Sequence, residues 1–324
     1  MNNLSNYFSK NKVIAFLFLA STLTFSSCET KTDDPNPSES TAKVRFEFKF
    51  DPNQQRLNNL AQPIGIATGN AAQTPTFNSM SVHYIEFAPS AFTQLGAGQV
   101  LYKNEEVSST KNGFTTAIDF SKAIVSPEGK VFLEVPIKDI AAGKYEWVRA
   151  SVAYQNLSIN YDLNNIPIGN QTLDLPNQQG TIAGFIGYNT KIKDFTVKNK
   201  TVPINDDKKQ GFWAFETQVT IPQYNYTFNE VTVGQSTGTT VVNPLAATSP
   251  VPAGSCVVTG SFSTPLTITG KETEDITVVL SFSIKDSFEW KDTNSNGKWD
   301  INVRNQVTEQ VVDMGLRGLE VKIR

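Results

Sequence analysis

The feature that most restricts the fold of this chain is a period of two in the placement of apolar residues. In KVRFEFKF, residues 43–50, the side chains of Val44, Phe46, Phe48 and Phe50 alternate with charged or polar ones. Alternation of this kind places the apolar side chains on one face of a β-strand. The same pattern recurs along the chain, for example in GKVFLEVPI and EDITVVLSFSIKDSFEW, between turn-forming segments such as SPEGK and AAGK. Many short strands at close spacing predict an all-β, antiparallel β-sandwich.

The length of 324 residues is enough for one large domain or two ordinary ones. Residues 163–180 are rich in Asn, Gln, Gly and Pro, and this composition favours a linker. The sequence therefore predicts an N-terminal sandwich over 43–162 and a C-terminal sandwich over 181–324, two in tandem. A single large sandwich with a long loop at 163–180 is the alternative.

The N-terminus has the proportions of a secretory signal, predicted over residues 1–27. Thirteen residues without a charge, Val13 to Phe25, follow Lys10 and Lys12. A bilayer span needs about 20 such residues, so this segment fits a signal-peptide core instead. Two serines then precede Cys28, and the arrangement resembles the lipobox of bacterial lipoproteins. That resemblance implies a Cys28 lipidated on sulfur, with palmitate among its acyl chains; an ordinary secretory signal with an incidental Cys28 is the alternative.

Residues 28–42 predict a lipidated cysteine followed by a flexible acidic tether. The segment has four acids and two prolines but no large apolar side chain, so it cannot bury enough surface to fold. Glu29, Asp33 and Asp34 resemble the surface-export signal of Bacteroidetes lipoproteins, which implies an outer-membrane anchor facing the cell surface. A plain linker on the periplasmic face is the alternative. A thioether at Cys28 also precludes a disulfide, so Cys256 is predicted to be a small buried residue where a strand begins.

The segment KDTNSNGKWD, residues 291–300, carries the clearest chemical pattern. Side-chain oxygens of Asp292, Asn294, Asn296 and Asp300 alternate along it, and Gly297 allows a sharp turn between them. With the carbonyl of Lys298, they form the oxygen-rich set that a calcium ion requires.

The surroundings of this loop differ from those of an EF-hand. Its flanks alternate like strands, and Val303 stands where an EF-hand has a bidentate Glu. We therefore expect a weak structural calcium site, with a further carboxylate from Asp313 or Glu309. The alternative is an Asx-rich hairpin whose side chains cap their own backbone.

Composition argues against several other functions. The formal charge of −3 and the lack of any Lys/Arg run exclude nucleic acid as a predicted partner. His83 is the only histidine, so sites built on several histidines are excluded, and a packed histidine is expected. Tyr224 and Tyr226, near the turn at Pro222, are the candidate ligand-binding aromatics, because such rings can stack on sugars.

Four phrases in the first half carry a family resemblance: VRFEFKFD, SMSVHYIEFAP, AIDF and IAAGKYEWVRASVAY. Their order resembles MbnP-like β-sandwich proteins, which implies a secreted partner of an outer-membrane receptor, in some cases tied to copper. The whole chain, including PAGSCVVTG and VVDMGLRGL, is similar to uncharacterised Bacteroidetes outer-membrane lipoproteins. That similarity implies a location and leaves the activity open.

Together these features predict a lipid-anchored, calcium-stabilised binding lipoprotein that is not an enzyme. Its ligand is expected to be a glycan or an outer-membrane partner. A carbohydrate-active hydrolase with paired carboxylates is one alternative, and a cleft with two carboxyl groups about 5–10 Å apart beside aromatics would favour it. A metal-handling, MbnP-like partner is another, and it requires His83 to line a pocket beside Met or Cys.

Overall fold

The computed structural model describes residues 40–244 and 256–324. The predicted signal peptide, Cys28 and most of the predicted tether lie outside the described residues. The strands are β1 Lys43–Asp51, β2 Asn70–Gln73, β3 Thr76–Ala88, β4 Gln99–Lys103, β5 Glu106–Ser108, β6 Thr116–Asp119, β7 Val131–Pro136, β8 Gly143–Ile168, β9 Gln171–Phe185, β10 Asn189–Thr196, β11 Thr201–Lys209, β12 Phe212–Ile221, β13 Tyr226–Gln235, β14 Val257–Ile268, β15 Ile276–Ser283, β16 Phe288–Lys291, β17 Asp300–Asn302, β18 Val307–Thr308, β19 Val311–Asp313 and β20 Leu319–Ile323.

This architecture confirms the predicted all-β class and the sandwich arrangement. Helical structure in the described residues is limited to three short 3₁₀ turns, Phe120–Lys122, Ile137–Asp139 and Pro222–Tyr224. None of the helices in this part of the chain is long and apolar enough to cross a membrane. Most strand pairs are antiparallel; β1 with β15 is a parallel exception.

The 26-residue strand β8 organises the largest sheet. One of its edges pairs with β14 in its first half and with β9 in its second half. Its other edge pairs with β3 and, further on, in parallel with β17. From β8 the sheet continues in two branches: one runs through β9 and β12 to β13, and the other through β14, β20, β15 and β1 to β7.

The large sheet folds over so that two of its parts face one another. Phe46 of β1 lies 5.7 Å from Phe87 of β3, measured between ring centroids, although these strands do not pair. Phe50 and Phe77 make a similar contact at 4.9 Å. These rings belong to one large buried cluster that also includes Trp290 and residues of most other strands. The alternation that predicted the strands therefore fills the space between the two layers.

A second core lies on the opposite face of β8, β9 and β12. There a four-stranded sheet, in the order β11–β10–β6–β5, covers the large sheet. Neighbouring residues of one strand serve different cores: Ile182 belongs to the large cluster, and Ala183 to the second. Phe215 and Ala214 divide in the same way on β12. Strands buried on both faces lose the alternation of a half-buried strand, and these segments read as continuous apolar runs.

The predicted linker at 163–180 requires correction. This stretch lies within β8 and β9, which pair around the turn at Gly169 and Asn170. Its apolar residues face each other across the hairpin, with Leu163 opposite Leu175. The many Asn and Gln residues occupy the intervening, more exposed positions. Their turn-forming composition outweighed the apolar alternation in the sequence reading. The described residues belong to one compact unit, so the chain does not divide into two sandwiches at this position.

One buried carboxylate connects the two layers around the second core. Glu216 of β12 accepts hydrogen bonds from the backbone N–H groups of Lys198 and Lys200 at 2.9 Å each, and from that of Asn199. These three residues form the turn between β10 and β11. Burial alone raises the pKa of Glu216, but the three N–H groups outweigh it, so the pKa lies below its ordinary value.

We predict that Glu216→Gln lowers the free energy of unfolding by roughly 1–3 kcal/mol, because a buried charged acceptor of three backbone N–H donors is lost. Urea denaturation at pH 7 measures this change. The lowered pKa means that the carboxylate stabilises the protein above the ordinary Glu pKa and loses this effect as pH falls through the folded-state pKa. The difference in the free energy of unfolding between the unmodified protein and Glu216→Gln therefore decreases at acid pH.

The matched control is Glu230→Gln, the same change at an exposed position on β13. We expect this control to shift stability by less than about 0.5 kcal/mol. Equal stability of the two variants at pH 7 would show that the turn does not depend on Glu216.

Candidate functional site

The candidate calcium loop, residues 292–299, joins β16 to β17, in agreement with the predicted strand flanks. β16 is held between β2 and β19, and β17 pairs with β8 and β18. Both ends of the loop are therefore fixed by strand pairing.

Asp300 is the centre of the loop. Its side chain is buried, and its Oδ2 accepts hydrogen bonds from the side-chain amides of Asn294 and Asn296 at 2.7 and 2.9 Å. Its Oδ1 accepts a further bond, at 2.7 Å, from the amide of Asn164 on β8. Each carboxamide carries an oxygen and a nitrogen on the same carbon, so either atom can face this point. Three of the predicted ligand side chains thus meet at one carboxylate oxygen.

Asp292 shapes the turn on the other side of the loop. Its Oδ1 accepts from the backbone N–H of Asn296 at 3.1 Å, and its Oδ2 from that of Gly297 at 2.9 Å. Gly297 adopts a φ of 70°, which residues with a Cβ rarely adopt. The glycine therefore makes the sharp turn possible, as its position in the sequence predicted.

Two buried tryptophan side chains, Trp290 and Trp299, pack at the base of the loop. Trp290 donates through Nε1 to the carbonyl of Lys298, and Trp299 donates to the carbonyl of Glu309, both at 2.9 Å. Both side chains are almost completely buried. The Lys298 carbonyl, a predicted ligand, keeps a second lone pair after accepting this bond.

The donor set fits a hard cation in its chemistry, since every predicted contact is a carboxylate, carboxamide or carbonyl oxygen. The same loop is also closed by its own Asx hydrogen bonds, as the alternative of a polar hairpin expects. Within the described residues, no group of three or more His, Cys, Asp or Glu side chains is arranged to hold a metal. Any cation here would rest on few carboxylates and several neutral oxygens.

The two candidates for a further carboxylate ligand lie in different places. Asp313 accepts bonds from the backbone N–H groups of Thr240 and Gly315, and it lies 3.5 Å from Arg317. Its carboxylate thus belongs to a separate network. Glu309 is the acid that contacts the loop: it accepts from the N–H and hydroxyl of Thr293, both at 2.7 Å, and from the N–H of Asp300. Of the two candidate carboxylates, Glu309 therefore lies against the loop and Asp313 does not.

His83, required by the metal-handling alternative, is buried in β3. Its ring centroid lies 5.4 Å from that of Tyr188, and its Nε2 lies 3.8 Å from Oε1 of Glu106. Burial lowers the pKa of His83 to about 4, although the charge of Glu106 opposes the shift. The ring is therefore neutral at pH 7 and packed between an aromatic ring and a carboxylate.

The candidate aromatic residues differ in exposure. Tyr224 is half exposed in the turn between β12 and β13, where Asn225 adopts a left-handed conformation. Tyr226 is partly buried and packs against the large core. Trp213 and Phe215, further along β12, are core residues. Of the two predicted ligand-binding tyrosines, Tyr224 is the one presented to solvent.

Two buried ion-pair networks were not predicted from the sequence. Glu86 and Arg149 are both fully buried, with 3.5 Å between Oε2 and Nη1. Glu86 also accepts from the N–H of Gly98 at 2.7 Å, and Arg149 donates to the carbonyl of Thr93. The sequence signal that could have indicated this pair is a single charged residue in each of two strands, Glu86 in SVHYIEFA and Arg149 in WVRASVAY.

The second network surrounds Glu289 of β16. Its carboxylate contacts the guanidinium groups of Arg56 and Arg317, and the side-chain amide of Asn70. Buried carboxylates are central to the hydrolase alternative, and Glu86, Glu216 and Glu289 all act as hydrogen-bond acceptors within the fold. Two arginines that share one carboxylate give Glu289 a structural role.

Comparison with known proteins gives this chain no relative: no protein-family model, no curated protein and no solved structure matches it.

Proposed function

We propose that this chain is a lipid-anchored binding lipoprotein of the bacterial outer membrane, displayed toward the cell surface and stabilised by a weak structural calcium ion. The observation that carries the proposal is the convergence of Asn294, Asn296 and Asp300 on one point between two fixed strands. The predicted signal peptide over residues 1–27, followed directly by Cys28, supports the anchor. A glycan or an outer-membrane protein is the proposed ligand, and the exposed ring of Tyr224 is available for stacking on a sugar.

The calcium ion would connect two strands. Asp292 lies directly after β16 and Asp300 begins β17, so an ion held by both would connect the two strands. Asp300 already contacts Asn164, and the ion would thereby fix the loop against β8. With two loop carboxylates and Val303 in place of the EF-hand glutamate, we expect binding in the range of extracellular modules, about 10⁻⁴–10⁻³ M.

We predict that calcium raises the melting temperature, because a ligand that binds the native state alone stabilises it. At ten times Kd the gain is about 1.4 kcal/mol, and for a protein of this size it corresponds to a rise of a few degrees. Thermal unfolding of the full chain in EDTA and in 10 mM calcium, a concentration at least about ten times the expected Kd, measures the shift.

Asp300→Asn is expected to abolish the calcium-dependent shift, because it removes the central carboxylate. Asp194→Asn, the same change at an exposed position on β10, should leave the shift intact. Identical melting temperatures in EDTA and calcium for the unmodified protein would refute the calcium site.

We predict that Cys28→Ala releases the protein from the outer-membrane fraction, since the sulfur is the proposed attachment point of the lipid. Membrane fractionation with mass spectrometry of the mature N-terminus measures both location and lipidation. Globomycin, which blocks lipoprotein signal processing, should cause the precursor to accumulate. The control is Cys256→Ala, which changes the only other cysteine and should remain anchored. Membrane retention of the Cys28→Ala protein would contradict the anchor.

A further inference from the structure

β13, Tyr226–Gln235, ends one side of the large sheet, and no described strand pairs with its outer edge. It is ten residues long and pairs with β12 in continuous register without a bulge. Its sequence, YTFNEVTVGQ, contains no proline and a single charge, Glu230. A long, regular and sparsely charged edge is a ready template for another strand.

The other sheet edges among the described strands carry the protection that β13 lacks. β7 ends at Pro136 and shows an irregular register with β1. β11 contains Pro203, a register shift and the charges of Lys208 and Lys209. The edge strands β2, β4, β5, β18 and β19 have five residues or fewer. Proline, bulges, charges and shortness all discourage strand addition, so β13 stands out as the open edge.

The hydrogen-bond pattern shows which backbone groups of β13 face outward. The N–H of Ser236, directly after β13, donates to the carbonyl of Gly211, directly before β12, and so points toward β12. Bonded pairs alternate along an antiparallel ladder, which turns even-numbered residues toward β12. The backbone groups of Thr227, Asn229, Val231, Val233 and Gln235 therefore point away from it. The contact of Lys200 Nζ with the Asn229 carbonyl is consistent with this assignment.

A groove of about 410 Å³ lies beside the end of this edge. Val233 and Gln235 border it on one side, and Lys111, Lys208 and Lys209 contribute charge. Asp206 and Asp207 also line it, but Asp206 pairs with Lys111 and Lys208, and Asp207 with Lys191 and Ser109. The groove and its rim therefore carry more positive than negative charge. An added strand would direct alternate side chains toward this groove.

We propose that the outer edge of β13 binds an extended, acidic segment of a partner polypeptide as an added strand. Backbone hydrogen bonds to Val231 and Val233 would supply affinity, and acidic side chains beside Lys209 would supply specificity. The proposal specifies the partner class for the binding role above and rests on that role, but not on the lipid anchor. Pairing of two copies is disfavoured because it would displace two Lys200–Asn229 contacts and bring two lysine-rich grooves together.

The test uses the purified full chain in detergent and a phage-displayed library of linear decapeptides. We expect enrichment of peptides that alternate β-branched with acidic residues. Val233→Pro removes one outward N–H while leaving the β12 ladder intact, and it should weaken the selected peptides at least about tenfold, or 1.4 kcal/mol. Val233→Ala keeps that N–H and should bind within about threefold of the unmodified chain. Lys209→Glu should weaken acidic peptides several-fold.

Amide hydrogen exchange tests the same edge directly and checks that Val233→Pro remains folded. In the free chain the amides of Val231 and Val233 should exchange rapidly, those of Thr232 and Gly234 slowly, and peptide should protect the first pair. Slow exchange at the even positions of the variant excludes misfolding as the cause of lost binding.

Three results would overturn the proposal. One is a library that yields no edge-dependent peptide, or peptides that bind Val233→Pro as tightly as the unmodified chain. Another is protection of Val231 and Val233 before peptide is added, which would place another part of this chain on the edge. The third is a dimer that Val233→Pro dissociates, which would make a second copy the occupant. A lipid anchor that fails its own test affects none of these outcomes.

Discussion

The shared strand β8 is the constraint on which the rest of the structure depends. Its 26 residues pair with four other strands, so both halves of the chain must fold around it. It also contributes to both cores: Val148 to the large one and Tyr154 to the second. A strand used in this way has little freedom to shift register, because a slip of one residue would exchange its two faces. The candidate loop is held in place in the same way, because β17, where the loop ends, pairs directly with β8.

Burial on both faces creates a second requirement, that polar groups inside the sheet find partners. Glu216 meets it by accepting three N–H groups of one turn, and Glu86 by contacting Arg149 and the loop before β4. These carboxylates organise loops that would otherwise lack regular structure. Breaking such a pair by removing one partner leaves a buried charge uncompensated. Glu86 and Glu216 thus act as structural hydrogen-bond acceptors.

Sequence alone predicted the class of fold and the position of the loop, because both depend on local patterns. The alternation of Phe46 and Phe48 with charged residues predicts a half-buried strand. The spacing of Asp292, Gly297 and Asp300 predicts a turn with converging oxygens. Pairing between distant segments has no local signature. The polar composition around Leu163 and Leu175 therefore suggested a linker where a hairpin forms. For the same reason the sequence offered both Asp313 and Glu309 as further carboxylates, although three-dimensional pairing brings only Glu309 to the loop.

We infer that β8 unites the two cores in one folding unit. Differential scanning calorimetry of the full chain tests it most directly, since two-state unfolding requires equal calorimetric and van't Hoff enthalpies. We expect a single transition with a ratio of these enthalpies near one. Two resolved transitions, or a calorimetric enthalpy about twice the van't Hoff value, would contradict it and restore the two tandem sandwiches that the sequence suggested.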